Sequence, residues 1–315
     1  MKRLLAFVLI LMLAAPFGCS AQSVASAVDF ACDTVVTIRA YAEQKTVDDA
    51  MRLVRDYERV LSKTIENSDV YKLNHAEGKP VAVNPETAEL LRLAVEVSQN
   101  SSGAFDVTIA PLSALWDFTA EQPSLPDAAA LSVAAAHVDY RNILIEGNTV
   151  TLRNGAEIDL GGIAKGYIAD RVAAFLKDQC VRHACINMGG NVVVFGGKPD
   201  GSFWSIGVRD PNGSPEQSEE VLSLSDGAIV TSGNYERFFE LDGVRYHHIL
   251  DPKTGMPIDN RVASVTIIGD CSALADALST ACFVLGPENS EELLSVYQVR
   301  AIFLLCDGTR IAIPE

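Results

Sequence analysis

Apolar positions along the chain follow two rhythms, a period near two and a period near 3.6, which alternate irregularly. Thr34-Val35-Val36-Thr37-Ile38 reads as a strand, while Ala50, Leu53, Val54, Tyr57, Val60 and Leu61 recur at helical spacing across 47–62. Asn84-Pro85-Glu86 marks a second helix start, a capping residue followed by proline at the first helical position, and Leu90, Leu91, Ala94 and Val97 carry that helix toward Asn100. Residues 128–136 predict a short alanine-rich helix, and Gly147-Asn148 predicts a hairpin turn between Ile143-Leu144-Ile145 and Thr149-Val150-Thr151-Leu152. A strand is then expected to run into Gly161-Gly162 and open a helix with Ile168, Val172, Phe175 and Leu176 on one face. Strands follow at 184–188, 192–195, 203–208 and 228–230, then a hairpin about Asp242-Gly243. The last section predicts a strand at 262–268, helices at 272–284 and 288–297, and a terminal hairpin at Asp307-Gly308. Helices and strands mix without a regular βαβ rhythm, which predicts an α+β domain on a largely antiparallel or mixed sheet.

The N-terminus reads differently. Met1-Lys2-Arg3, an apolar run from Leu4 to Ala15, and Pro16-Phe17-Gly18-Cys19 outline an export signal, too short for a membrane span and ending at a cysteine suited to lipidation. The expected organisation is a lipoprotein-type signal peptide over 1–18, Cys19 as the lipidated N-terminus, a linker over 19–30 and one domain over 31–315. Cleavage after Gly18, Ser20 or Ala21 without a lipid is the alternative. Such a protein faces the extracytoplasmic side of a bacterial inner membrane.

At 315 residues and 48% hydrophobic content the chain can bury a sizeable core. Its formal charge of -16 excludes an ordinary nucleic-acid binder, because phosphate backbones require a basic face. The same acidity means that any phosphate chemistry calls for a local cation. Six cysteines besides Cys19 show no CxxC spacing, so buried free thiols are expected, with a Cys180–Cys185 pair as the alternative in an oxidising compartment.

Candidate chemistry concentrates in Asp159-Leu160-Gly161-Gly162-Ile163-Ala164-Lys165-Gly166. Glycines admit a ligand to the backbone, free N–H groups at a helix start attract anions, and Lys165 adds a full charge; a glycine-tightened surface loop is the plainer alternative. Asn187-Met188-Gly189-Gly190-Asn191 and Thr231-Ser232-Gly233-Asn234-Tyr235 are polar or glycine-rich turns beside apolar strands. Tyr246-His247-His248-Ile249-Leu250-Asp251-Pro252 continues into Lys253-Thr254-Gly255-Met256-Pro257, a rigid loop next to two histidines. The histidines face opposite ways in a strand, and His248, nearer the loop, is the functional candidate. In Ala275-Asp276-Ala277-Leu278-Ser279-Thr280, Asp276 and Thr280 stack one turn apart and offer hard oxygen ligands suited to Mg²⁺. A helix-surface aspartate is the alternative there, and the apolar setting weakens it. The glycine segment is neither a P-loop nor a GxGxxG fingerprint, and no GxSxG or HExxH motif occurs.

In order, the segments DLGGIAKG, NMGG, TSGNY, HILDPKTGMP and DALST resemble the FAD:protein FMN transferase family, also called the ApbE family. The likeness runs from Cys32-Asp33-Thr34 through Ser68–Asn74 and Gly103-Ala104-Phe105-Asp106 to the C-terminal helix. It implies a T-fold-like α+β architecture with an FAD site in a cleft between subdomains. It also implies an exported, often lipid-anchored enzyme that uses Mg²⁺ to transfer FMN from FAD to a threonine or serine hydroxyl, releasing AMP. Carried over by motif, Asp276, Thr280 and the Gly162 carbonyl would hold Mg²⁺, with His248 as proton acceptor or orienter of the incoming hydroxyl. Asp159, Lys165, Ser232, Ala104, Phe105, Asp106, His248, Ile249 and Leu250 would contact FAD. Cys32 and Thr64 stand at flavin-contacting positions that are often methionine and aromatic in the family. The implied acceptors are flavoprotein subunits of membrane redox complexes. An FAD pyrophosphatase giving FMN and AMP, and a non-catalytic FAD-binding lipoprotein, are the rival readings.

Overall fold

The computed structural model describes residues 23–118, 120, 122–211, 213 and 217–314, so the signal peptide and Cys19 lie outside the described residues. The chain opens with β1 (Val24–Ala31) and β2 (Thr34–Tyr41), followed by α1 (Gln44–Leu61), α2 (Asp69–Asn74), β3 (Val81–Ala82) and α3 (Pro85–Asn100). Two short helices, α4 (Ala110–Ser113) and α5 (Ala128–Ala135), lead to β4 (Ile143–Glu146), β5 (Thr149–Leu152) and α6 (Ala164–Asp178). Next come β6 (Ala184–Met188), β7 (Asn191–Phe195), β8 (Trp204–Arg209), β9 (Ser218–Leu224) and β10 (Gly227–Gly233). The chain ends through β11 (Phe238–Leu241), β12 (Val244–His247), β13 (Val262–Gly269), α7 (Ser272–Leu285), α8 (Pro287–Tyr297), β14 (Arg300–Leu305) and β15 (Arg310–Ile313).

Eight strands form one sheet in the order β1-β2-β6-β7-β10-β13-β14-β15, and each of its ladders is antiparallel. Side-chain alternation splits each central strand between two layers. On β10, Ala228 and Val230 join Ile168, Val172 and Leu278 in the main core, while Ile229 joins Val208, Leu222, Ile302 and Leu304 beneath the β8–β9 hairpin. The expected α+β architecture with antiparallel pairing is the one observed. A separate cluster of Leu112, Trp116, Leu131, Phe239 and Leu250 sits under the 248–257 loop.

Three expectations change. The segment expected as a linker up to residue 30 is mostly β1, paired along its whole length from Val24↔Tyr41 to Ala31↔Thr34. Its small and polar residues look like a tether in isolation, and only the partner strand reveals the ladder. The turn closing this hairpin is Cys32-Asp33 with φ of 52° and 55°, a left-handed pair made without glycine. Likewise, no strand runs into Gly161-Gly162; before them Glu157 makes one isolated bridge to Ile109. Asn74 satisfies Ile158 instead, its Oδ1 accepting the Ile158 N–H at 2.8 Å and its Nδ2 donating to the Ile158 carbonyl at 2.9 Å. Finally, the six cysteines of the described residues are all free; Cys282 is buried, but Cys180, Cys271 and Cys306 are exposed, and no Cys180–Cys185 bridge forms.

Candidate active site at the junction of two helices

Gly166, the third residue of α6, lets α6 and α7 touch. A Cβ at that position would stand 2.2 Å from the Ser272 carbonyl oxygen and 2.8 Å from the Ala273 Cα. The close approach brings the Gly166 N–H to Asp276 Oδ2 at 2.9 Å. In a regular helix that N–H would donate to the carbonyl four residues back, on Gly162, so here the carboxylate takes the bond that would draw the Gly162 carbonyl into α6. Asp276 is 3% exposed, and its other oxygen, Oδ1, faces Lys165 Nζ at 3.9 Å. Lys165 donates in turn to the Gly161 carbonyl at 2.9 Å.

Thr280 follows Asp276 by one turn of α7. Its Oγ1 lies 3.4 Å from where a Cβ on Gly162 would stand, and Phe105 Cε2 lies 3.2 Å from the same point on another side. A Cβ there would be tight against the Phe105 ring and in contact with Thr280. Behind this pair runs a chain of hydroxyls: Ser279 donates to the Asp276 carbonyl at 2.8 Å, and Ser232 of β10 meets Ser279 at 2.7 Å and Thr280 at 3.4 Å. With the Ser279 proton directed at the carbonyl, Ser232 is the donor to Ser279.

Asp159 fixes the loop that enters α6. Its Oδ1 accepts the Gly161 N–H at 2.9 Å, while its Oδ2 accepts from Lys63 Nζ at 2.6 Å and from Ser113 Oγ at 3.4 Å. Burial pushes its carboxyl upward, but Lys63, Gly161 and Ser113 together hold it below the usual carboxylate value. That sign places its stabilisation above pH 3.8 and removes it as pH falls through the lower folded value. Lys63→Met should lower stability by about 1–2 kcal/mol at neutral pH, discounted for the partly exposed pair. Urea unfolding at pH 7 and at falling pH below 3.8 tests this: the gap between wild type and variant should narrow as the solution is acidified.

The two histidines divide at the end of β12, which closes on His247 and leaves His248 in the bend that follows. His247 is buried, accepts the Ile249 N–H on Nδ1 at 3.3 Å, and donates from Nε2 to the Ile258 carbonyl at 3.0 Å, so it ties β12 to the loop. His248 has a buried Nδ1 with no hydrogen-bond partner among the described residues. Burial drives its imidazole down to about 4, with Lys165, Arg237 and His247 adding to the effect. Lys165 also acts on Cys32, whose thiol burial and Glu58 raise to about 12 against the pull of the lysine. Lys165 thus faces Asp276 directly and its charge reaches both His248 and Cys32 of the β1–β2 turn. The second glycine turn joins the same end of the sheet, since a Cβ on Gly189 would lie 2.0 Å from Thr34 Oγ1.

The other residues expected to contact FAD have the following surroundings within the protein. Asp106 Oδ1 accepts from the N–H and hydroxyl of Thr108 at 2.8 and 2.6 Å, and its Oδ2 accepts from the Tyr140 N–H at 2.9 Å. Burial raises its carboxyl despite those donors. Ala104 is buried, Ile249 belongs to the main core, and Leu250 packs in the cluster around Trp116, whose Nε1 donates to the Gly255 carbonyl at 2.8 Å. Thr64 is exposed, with its hydroxyl 3.1 Å from Ser62 Oγ. Conversely, Lys63, Ser279 and Asp170 belong to the junction without having been singled out. Lys63 reads in sequence as a cation just past a helix end, and Asp170 as a surface carboxylate one turn after Gly166.

This architecture is that of the ApbE flavin transferases. A crystal structure of the ApbE protein from Thermotoga maritima matches 92% of this chain and 96% of its own with a TM-score of 0.85 at 36% identity. The apo form of the Pseudomonas stutzeri flavinyl transferase ApbE matches 92% and 94% with a TM-score of 0.81 at 29% identity. By sequence, the FAD:protein FMN transferase of Treponema pallidum is 36% identical over 298 residues, 87% of this chain and 82% of that protein. One from Klebsiella pneumoniae is 39% identical over 241 residues, 75% of this chain and 74% of that protein. The ApbE family model matches residues 32–303. The chain belongs to the ApbE family and is an enzyme of the transferase class.

Proposed function

We propose that this enzyme transfers FMN from FAD to a threonine or serine hydroxyl of an acceptor protein, with Mg²⁺ held at the α6–α7 junction and AMP released. The observation that carries the metal reading is the diversion of the Gly166 N–H to Asp276, which keeps the Gly162 carbonyl out of the α6 ladder, on a residue whose Cβ position lies 3.4 Å from Thr280 Oγ1. Asp276 Oδ1, Thr280 Oγ1 and the Gly162 carbonyl form an all-oxygen set, the chemistry Mg²⁺ favours. Among the described residues no three His, Cys, Asp or Glu side chains gather, and the set proposed here has a single carboxylate. When bound, Mg²⁺ would neutralise charge that grows on the pyrophosphate as AMP departs.

The remaining work falls to the chain itself. Lys165 and the N-terminus of α6 supply further positive potential toward phosphate oxygens. Asp159, fixed by Lys63, holds the loop so that Gly162 stays in place. With its imidazole near 4, His248 is neutral at physiological pH and can accept a hydrogen bond or a proton from the attacking hydroxyl. Because that value lies below the ordinary 6.5, the neutral form is favoured by folding, and stability should erode as pH drops from 6.5 toward 4. His248→Ala should keep FAD binding and lose about 10²–10⁴-fold in transfer rate. Full transfer by that variant would remove His248 from the chemistry.

The export signal and Cys19 support a lipid-anchored enzyme facing the periplasm, where acceptor subunits of membrane redox complexes would present their hydroxyls. Incubation of the purified protein with FAD and Mg²⁺, with and without a threonine-bearing acceptor, tests the activity. Fluorescent acceptor in a denaturing gel together with AMP supports transfer. Free FMN with unmodified acceptor indicates hydrolysis, and unchanged FAD indicates a carrier.

A further inference from the structure

Each of the two site helices is capped by a carboxylate from the other. Asp276 of α7 accepts the Gly166 N–H at the start of α6. In return, Asp170 of α6 accepts the first two N–H groups of α7, from Ser272 on Oδ1 at 3.0 Å and from Ala273 on Oδ2 at 2.8 Å. The Cys271 thiol adds a contact to Oδ2 at 3.4 Å. Neither helix has a local cap: Ile163 and Cys271, which stand in the capping positions, make no side-chain capping bond. Each start is therefore defined by the opposite helix, and Gly166 wedges the pair together against the Ser272 carbonyl.

Both oxygens of Asp170 accept from the start of α7. Its leverage is geometric. Asp276 and Thr280 lie one and two turns into the helix whose first residue Asp170 grips. A shift of that start carries both side chains away from Gly162, which belongs to the loop before α6.

We propose that Asp170 is a positioning residue of the transfer site, holding the start of α7 so that Asp276 Oδ1 and Thr280 Oγ1 meet the Gly162 carbonyl. This inference rests on the assignment of those three groups to Mg²⁺. Asp127 provides a matched control, since its Oδ1 accepts the N–H groups of Ala129 and Ala130 at 2.9 and 3.0 Å on α5, outside the junction.

The test is a Mn²⁺ titration of the full-length protein in the presence of FAD, followed by the electron paramagnetic resonance signal of free Mn²⁺. Asp170→Asn replaces one accepting oxygen by a donor facing an N–H, and should weaken Mn²⁺ binding about 10–100-fold, the usual effect of losing a partner that orients metal ligands. In turnover, raising Mg²⁺ should restore its kcat, whereas a loss of folded protein alone would lower kcat without moving the Mg²⁺ dependence. Asp127→Asn should leave Mn²⁺ affinity unchanged. If Asp170→Asn does not fold, Asp170→Glu, which keeps the charge and displaces it by a methylene, should weaken binding in the same direction. Wild-type affinity in the folded Asp170 variants, or an equal loss in Asp127→Asn, would overturn the proposal. Absence of saturable Mn²⁺ binding by the wild-type protein would overturn the metal assignment itself, and this inference with it.

Discussion

Asp276→Asn should reduce FMN transfer by about 10²–10³-fold while leaving the protein folded, the scale set by removing one preorganised charge-stabilising group. The amide is isosteric, and its oxygen can still accept the Gly166 N–H that Asp276 Oδ2 takes at 2.9 Å. What it lacks is the negative charge on Oδ1, the atom that faces Lys165 and would hold the metal. The stability cost should stay within about 1–2 kcal/mol, because the helix start keeps its acceptor and loses only the dipole and lysine interactions. Steady-state rates together with thermal melts separate the two effects. A variant that melts like wild type and still transfers at full rate would show that Asp276 is a cap and nothing more.

Gly166→Ala should be a severely damaging single-methyl change at the α6–α7 junction. The added Cβ would meet three backbone atoms of α7 at 2.2, 2.5 and 2.8 Å, and backbone cannot swing aside as a side chain can. Overpacking of this kind costs about 1–3 kcal/mol, against which the better helix propensity of alanine returns about 1 kcal/mol. The catalytic loss should be larger than the net change in stability suggests. Moving α7 by about 1 Å separates Thr280 from Gly162 and breaks the Gly166–Asp276 bond, and misplacement on that scale costs about 10²-fold in rate. Differential scanning calorimetry and transfer rates below the melting range check both parts. An unchanged melting temperature with unchanged activity would mean that the helices are not in the contact described.

Much of this site was legible in the sequence because it depends on local spacing. Asp276 and Thr280 announce themselves as polar residues one turn apart on an apolar helix. Strand alternation sets His248 apart from His247 in the sequence; in the structure β12 ends at His247, which is held by hydrogen bonds, while the Nδ1 of His248 just beyond it has no partner among the described residues. The illegible parts are those in which a partner comes from far along the chain. β1 looks like a tether until β2 pairs with it, and the extended segment before Gly161 looks like a strand until Asn74 satisfies Ile158. Lys63 reaches Asp159 across a separation of 96 residues, and Asp170 reaches Ser272 across 102. Neither carries a local pattern that distinguishes it from a solvated charge. Asp106 is legible as special in the sequence, but the turn its carboxylate organises through Thr108 and Tyr140 is not.

The claim on which the rest depends is that one cation is shared by α7 and the loop before α6. Anomalous diffraction from crystals soaked with Mn²⁺ and FAD measures this directly. A single dominant peak is expected within about 2.0–2.6 Å of Asp276 Oδ1, Thr280 Oγ1 and the Gly162 carbonyl oxygen. A peak held by other residues, or one that touches Asp276 while leaving Gly162 beyond coordination distance, would contradict it.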